Sequence, residues 1–271
     1  MTKSGSSDMG SDEGDTPPEK IRQLLGDAKS EAVELGGWEA FKNGEWLLRL
    51  IEKSFRAYWQ HANADYFRSK YPGKEDDFIA KKLIGLAAGN AALLGTVTGT
   101  AISADEIIGV AQTVGSGGAG ALGLPANVAI AFTAISSEVV LLTRLQLQLV
   151  ANLGKLYDIP LDPDDPEDII TILSFAIGGS ISEASSKVGV RMSGGFAKTA
   201  TRKHISKGTL KAIQKIGAKL GVKILQRTII KYVVPLVSVG VGAGWNYLAT
   251  RSVGYIAKKH FLKRRTELNM T

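Results

Sequence analysis

The sequence contains no cysteine. A disulfide framework is therefore excluded, and so are thiolate metal ligands and cysteine nucleophiles. The absence of cysteine also fits a protein that works in a reducing compartment. The first 18 residues lack any apolar run and are polar and acidic, so they predict a disordered tail rather than a signal peptide. Together these features favour a cytoplasmic protein.

Acidic residues are absent from one third of the chain. Between Glu183 and Glu267 the sequence has no Asp or Glu, whereas it has 18 Lys and Arg residues. Residues 1–183, by contrast, hold 25 acidic and 15 basic residues. The net charge of +7 therefore hides a strongly positive C-terminal region. Such a region predicts a polyanionic partner, and anionic lipid, nucleic acid and the acidic part of the same protein all fit that description.

Motifs for catalysis and for metal or nucleotide binding are also missing. The three histidines are far apart in the chain, and neither a nucleophile elbow nor a Walker A loop occurs. A G-x-G-x-x-G pattern spans residues 115–120, but Pro125 interrupts the helix that should follow it in a dinucleotide-binding fold. The acidic cluster at residues 162–168 lacks the turn glycine and the final glutamate of a calcium loop. The sequence therefore predicts a non-enzymatic protein without a cofactor or a metal site.

Long runs of strongly apolar residues are lacking too. Residues 83–103 and 232–250 carry no charge and reach the length of about 20 residues that a transmembrane helix needs. Both stretches are rich in Gly, Ala, Ser and Thr and poor in the Leu, Ile and Phe that favour insertion. Glycines at four-residue steps, such as Gly85 with Gly89 and Gly95 with Gly99, permit close helix packing. We therefore expect buried or interfacial helices rather than full spans.

The remaining pattern is helical, since no stretch alternates apolar and polar residues for long enough to predict a sheet. Apolar residues at three- and four-residue spacing predict helices over residues 38–66, 138–157, 167–183, 207–233 and 235–261. Before the third of these, Asp165 is a candidate N-cap, Pro166 suits the first helical position and Asp168 can reach back to cap the helix. The predicted fold is all-α, with one compact domain of glycine-rich, close-packed helices over residues 19–271 after the tail of residues 1–18.

Basic residues recur every four positions along one predicted helix, at Lys207, Lys211, Lys215, Lys219, Lys223, Arg227 and Lys231. Each step turns by about 400°, so the row winds by ~40° per step and any three neighbours share a face. Because apolar residues lie between them, the pattern is typical of a helix on an anionic membrane surface. Nucleic acid would use the same charge, but no aromatic residue for base stacking lies between Phe196 and Tyr232. A solvated face whose lysine stems cover apolar surface is the alternative interpretation.

Two stretches resemble the EcsC family of proteins. The first is LGLPANVAIAFTAISSEVVLLTRLQLQLVANLGKLYDIPLD, in which a Leu-Pro step precedes a helix with an Arg/Gln-Leu-x-Leu core that ends in a Tyr and an acidic loop. The second is VVPLVSVGVGAGWNYLATRSVGYIAKKHF. The resemblance covers roughly residues 75–262, and its motif positions include Pro125, Arg144, Gln146, Tyr157 and Asn246. It implies a mostly bacterial family without an established enzymatic activity, named for a gene beside that of an ABC transporter.

These features predict a non-enzymatic helical protein that docks on the cytoplasmic face of a membrane. In this hypothesis the basic helix contacts anionic lipid headgroups, while the glycine-rich helices insert shallowly or hold an apolar ligand. The resemblance adds a membrane protein such as an ABC transporter as a possible partner. The alternative is a soluble scaffold or regulatory protein whose basic third binds an acidic protein partner. Nucleic-acid binding is the least favoured of the three.

Overall fold

The computed structural model describes residues 17–99, 126–162, 165–175, 207–233 and 239–270. Across those ranges every regular element is an α-helix, which confirms the all-α fold class. The helices are α1 (Pro17–Glu34), α2 (Gly37–Asn43), α3 (Trp46–His61), α4 (Ala64–Lys70), α5 (Asp76–Gly99), α6 (Ala126–Leu156), α7 (Pro166–Phe175), α8 (Lys207–Val233) and α9 (Val239–Asn269). They share one continuous apolar core.

Helix α6 lies at the centre of the bundle and packs against α1, α3, α5 and α9. Its apolar residues fill the core, and nine of them are at most 3% exposed: Ile135, Val139, Val140, Leu147, Leu149, Val150, Ala151, Leu153 and Leu156. The helix predicted over residues 138–157 is confirmed, although it begins earlier, at Ala126. A helix with neighbours on several sides is buried around most of its circumference, which explains why α6 carries no charged residue before Glu138.

The single helix predicted over residues 38–66 is wrong, because the chain forms α2, α3 and α4 there. The first break follows α2 at Gly44, whose φ of 76° lies in the left-handed region that favours glycine. A Cβ atom at Gly44 would also lie 1.8 Å from the carbonyl oxygen of Ala218 on α8. The second break precedes α4, where the side chain of Asn63 accepts a hydrogen bond from the backbone N–H of Tyr66. Apolar spacing continues across Gly44, so periodicity alone does not show the break.

Helices α5 and α9 form an antiparallel pair, the most extensive helix contact in the part of the chain that the structure describes. Near the end of α5 and the start of α9, Gly95 lies against Gly242. A Cβ atom at Gly95 would stand 2.7 Å from the carbonyl oxygen of Gly242. The predicted close packing of glycine-rich helices is therefore confirmed at this crossing. Gly85 and Gly89, which show the same four-residue step, have no atom within 4 Å of their Cβ positions.

At the opposite end of the two helices, ion pairs join the first turn of α5 to α9 and α4. Asp76 accepts hydrogen bonds from Arg265 of α9 at 2.8 Å and from Arg68 of α4 at 3.2 Å. Asp77 forms an ion pair with Lys258 of α9, and this contact lowers the pKa of Asp77. Burial raises the pKa of Asp76. The hydrogen bonds from Arg68 and Arg265 outweigh burial, so the pKa of Asp76 is lowered as well.

Helix α7 begins at Pro166, as predicted. Asp168 reaches back from the first turn, but its carboxylate accepts from the backbone N–H of Asp162 at 2.8 Å. Its other oxygen accepts from Arg264 of α9 at 3.2 Å. Burial raises the pKa of Asp168 despite these two contacts. The acidic cluster is therefore held against α9 at this residue.

Several predicted boundaries move or fall outside the described ranges. The tail over residues 1–16, the segment around Pro125 and the helix beyond Phe175 lie outside them. Residues 17 and 18, assigned to the tail from the sequence, belong instead to α1, where a proline without an N–H suits the first turn. The helix over residues 207–233 is confirmed as α8, while α9 extends past its predicted end to Asn269.

We predict that Gly95→Ala destabilises the fold, because the new Cβ atom would meet the backbone of Gly242 at 2.7 Å. Overpacking of this kind costs about 1–3 kcal/mol. Gly85→Ala is the matched control on the same helix, since it meets nothing within 4 Å. Its better helix propensity should raise the free energy of unfolding by about 0.5–1 kcal/mol. Urea unfolding measures both variants, and equal changes would contradict the close contact.

We also predict that the ion pairs of Asp77 with Lys258 and Lys81 make stability depend on acid pH. Both contacts hold the folded-state pKa of Asp77 below its ordinary value of 3.8, so they stabilise the fold above that value. This contribution is lost as the pH falls through the lowered pKa. Asp77→Asn should therefore be less stable than the parent protein at neutral pH, and the difference should shrink below about pH 4. Denaturant titrations at graded pH test this, and a difference that is constant with pH would refute it.

Candidate functional site

Helix α8, which carries the predicted lipid-binding residues, has an apolar side that is already covered by protein. Its residues Ile213, Leu220, Leu225 and Ile229 are all buried. The helix packs against α2 and α3, and the contact is close. A Cβ atom at Gly217 would stand 2.4 Å from the side chain of Leu48. The apolar half of the amphipathic pattern therefore belongs to the core, so it is not available to a membrane.

The opposite side of α8 is a stripe of exposed lysines, which we call the basic face: Lys211, Lys215, Lys219 and Lys223. A rise of 1.5 Å per residue spreads them over about 18 Å, and their positions turn through about 120° of the helix. Among the residues that the structure describes, no carboxylate lies within ion-pair distance of any of the four. Four unneutralised positive charges thus point to solvent from one side of a helix.

The other predicted residues of this row have different surroundings. Arg227 is also exposed on α8. Unlike the four central lysines, it interacts with another group of the protein. Lys207 and Lys231 lie in the first and last turns of the helix, and their side chains fall outside the described set. The basic face is therefore defined by the four central lysines.

The polar motif positions of α6 make contacts within the bundle. The Nε atom of Arg144 donates to the hydroxyl of Tyr58 on α3 at 3.0 Å. Its guanidinium also lies 2.9 Å from the carboxylate of Glu31 on α1. Lys53 of α3 is 3.7 Å from the same Glu31. Arg144 therefore joins α6 to α1 and α3, which is a structural role that requires no ligand.

A second set of polar contacts joins α6 to α9. The amide of Asn246 donates to the carboxylate of Glu138 at 2.7 Å, and the two residues are 1% and 0% exposed. Gln146 donates to the hydroxyl of Thr250 at 3.3 Å, one helical turn further along α9. Buried polar groups need partners of this kind, because an unpaired group loses its hydration without compensation. These contacts therefore specify how α9 lies on α6.

Tyr157 follows α6 directly and is 1% exposed. Burial raises the pKa of its hydroxyl, with a further contribution from the negative charges of Asp77 and Asp76. The hydroxyl makes no hydrogen bond to a described residue. The side chain acts as a large core residue beside the ion pairs of α5 and α9.

The structure thus separates the two sets of residues that the sequence singled out. The basic face lies on the outside of α8, whereas Arg144, Gln146, Tyr157 and Asn246 lie in the contacts of α6 with other helices. Pro125 is outside the described ranges. Sequence reasoning missed Glu138 as the partner of Asn246, because a separation of 108 residues leaves no local pattern.

In the described parts of the chain, no group of three His, Asp or Glu side chains is arranged to hold a metal ion. His260 packs between the rings of Phe175 and Phe261. Burial lowers its pKa to about 4, so the imidazole is neutral at physiological pH.

Two of the described helices are long and apolar enough to cross a membrane, which is compatible with membrane association. They are α5 over Asp76–Thr98 and α6 over Phe132–Leu156. Within the apolar window of α6, 78% is buried in the bundle, compared with 44% for α5. The burial of α6 is thus that of a core helix, whereas α5 keeps an exposed apolar side.

Comparison of the chain with protein-family models, with curated proteins and with solved structures gives no match. The resemblance to EcsC proteins therefore stays a prediction.

We predict that Asn246→Ala lowers the free energy of unfolding by about 1–3 kcal/mol, because it removes a hydrogen bond to a fully buried carboxylate. Asn90→Ala is the control, since Asn90 is exposed on α5. A surface substitution of this kind should change stability by less than about 0.5 kcal/mol. Thermal or urea unfolding of the two variants measures the difference. Similar small losses in both would show that the contact with Glu138 contributes little.

Proposed function

We propose that this protein docks reversibly on the anionic cytoplasmic face of a membrane through the basic face of α8. The observation that carries the proposal is the exposure of Lys211, Lys215, Lys219 and Lys223 with no described carboxylate beside them. Each lysine near an anionic leaflet contributes on the order of 1 kcal/mol. Four lysines acting together give an attraction that is well above thermal energy. No catalytic step is part of this proposal.

The burial of the apolar side of α8 means that docking through this helix is electrostatic. Because Leu220, Leu225 and Ile229 are buried against the bundle, α8 contributes charge without an apolar anchor. Docking through α8 should therefore be sensitive to salt, since the Debye length falls to about 8 Å at physiological ionic strength. The sequence-based hypothesis likewise placed the basic helix on the lipid headgroups and assigned insertion to the glycine-rich helices.

An acidic protein surface is the second candidate partner, and the same observation favours it. A flat stripe of lysines without apolar side chains also suits carboxylates on a scaffold or a transporter subunit. The family resemblance supports an ABC transporter as such a partner. Lipid is the first choice because a regular row of point charges needs no geometric match to a fluid anionic surface.

We predict that Lys215→Gln with Lys219→Gln weakens binding to vesicles of phosphatidylcholine and phosphatidylserine by about 30-fold, if each lysine contributes about 1 kcal/mol. Lys29→Gln with Lys70→Gln is the charge-matched control, on the exposed surfaces of α1 and α4. Co-sedimentation measures both double variants. Raising the salt should release the parent protein, and vesicles of phosphatidylcholine alone should bind it weakly.

Two outcomes would contradict the proposal. One is equal binding of the two double variants, which would show that total charge matters and the basic face does not. The other is a parent protein that ignores vesicles yet captures an acidic protein through Lys215 and Lys219, which would favour the second candidate.

A further inference from the structure

A second exposed surface lies on the pair of α5 and α9. Four large apolar side chains there are 43–64% exposed, and we call them the outer face: Leu86, Leu93, Trp245 and Leu248. Large apolar side chains exposed together on one face are uncommon on proteins that work alone in water. The outer face therefore needs a partner.

The packing of the two helices places these side chains on the side of the pair that faces away from α6. Gly254 of α9 lies against Ile84 of α5 and Leu149 of α6, so the inner sides of the three helices meet. At the glycine crossing, Leu93 is two residues from Gly95 and Trp245 is three residues from Gly242. Leu93 and Trp245 therefore lie within one turn of the crossing, on neighbouring helices.

The cations Lys82 and Arg251 lie at the edge of the outer face. Helix α5 carries no charged residue after Lys82, and α9 carries none before Arg251. At that boundary Arg251 stacks on the rings of Tyr247 and Tyr255, and Lys82 lies over the ring of Phe78. Aromatic rings with cations at the edge of an apolar surface are typical of the boundary between lipid headgroups and acyl chains.

We propose that the outer face inserts into the boundary between headgroups and acyl chains of an anionic bilayer. Leu86, Leu93, Trp245 and Leu248 enter the apolar layer, and Lys82 and Arg251 contact lipid phosphates. The uncharged end of the helix pair enters the bilayer, whereas the end held by Asp76 and Arg265 stays in water. The inference rests on the membrane docking of the proposed function, and it adds an apolar anchor that α8 lacks.

A second copy of the chain fits this surface less well than lipid does. A two-fold contact between outer faces would bring Lys82 and Arg251 of both copies to the edge of one interface. Four cations would then meet. Asp77, the acidic residue of α5 nearest to them in sequence, is already paired with Lys81 and Lys258, and α9 has no acidic residue before Glu267. Lipid phosphates provide that compensation.

Trp245 gives a direct test. It is 50% exposed, while Trp46 is fully buried and Trp38 and Trp59 are half-buried. In vesicles of phosphatidylserine and brominated phosphatidylcholine, bromine on the acyl chains should quench the emission of Trp245. Trp245→Phe should remove the quenched component. Unquenched emission of the parent protein bound to these vesicles would overturn the inference.

A matched pair of variants tests the apolar anchor. Leu86→Ser with Leu248→Ser should weaken vesicle binding at physiological ionic strength on the order of tenfold or more. Val33→Ser is the control, since Val33 is 70% exposed on α1. Circular dichroism checks that all variants keep their helices. A parent protein that sediments as a dimer, and becomes monomeric in the double variant, would assign the outer face to a second copy instead.

The two double variants distinguish the contact made by the basic face from the contact made by the outer face. If Lys215→Gln with Lys219→Gln binds like the parent protein while Leu86→Ser with Leu248→Ser does not, the inference stands and the role of the basic face is refuted. If only the lysine variant loses binding, the basic face stands and the insertion is refuted.

Discussion

The fold depends on the close approach of α5 and α9 at Gly95 and Gly242. With a Cβ position 2.7 Å from a carbonyl oxygen, only glycine lets the two backbones meet there. This approach also brings Asn246 to Glu138, so that a carboxylate in the centre of the bundle is hydrogen-bonded. Closer to the surface, the same pair of helices exposes the outer face. The contact of α5 with α9 therefore lies between a buried polar contact on one side and an exposed apolar surface on the other.

The bundle uses its charges in two ways. Carboxylates on α5 and α7 neutralise the cations Lys258, Arg264 and Arg265 of α9, and these pairs tie elements together that are distant in sequence. The lysines of the basic face have no such described partner. The acid-free third of the sequence therefore contains structural cations and exposed ones, and composition alone does not distinguish them.

Much of the helical fold could be predicted from the sequence, because apolar spacing marks α6, α8 and α9 directly. Apolar spacing does not show the break at Gly44, and the close approach of α8 to this residue is a contact between distant parts of the chain. Four-residue glycine steps were informative at Gly95 but not at Gly85, because only the partner helix decides which glycine is in contact. For the candidate site, the row of lysines was visible in the sequence. The protein cover on the apolar side of α8 and the partner of Asn246 were not, because both are tertiary contacts.

The contact of α8 with Gly44, at the end of α2, affects how the molecule approaches a charged surface. Gly221 and Gly44 hold α8 by backbone contact, so its lysines keep a fixed direction relative to the bundle. A rigidly mounted group of charges gives the molecule an electric moment, and a charged surface exerts a torque on it before any contact forms. The protein would then be oriented before it reaches the surface, which would raise the association rate.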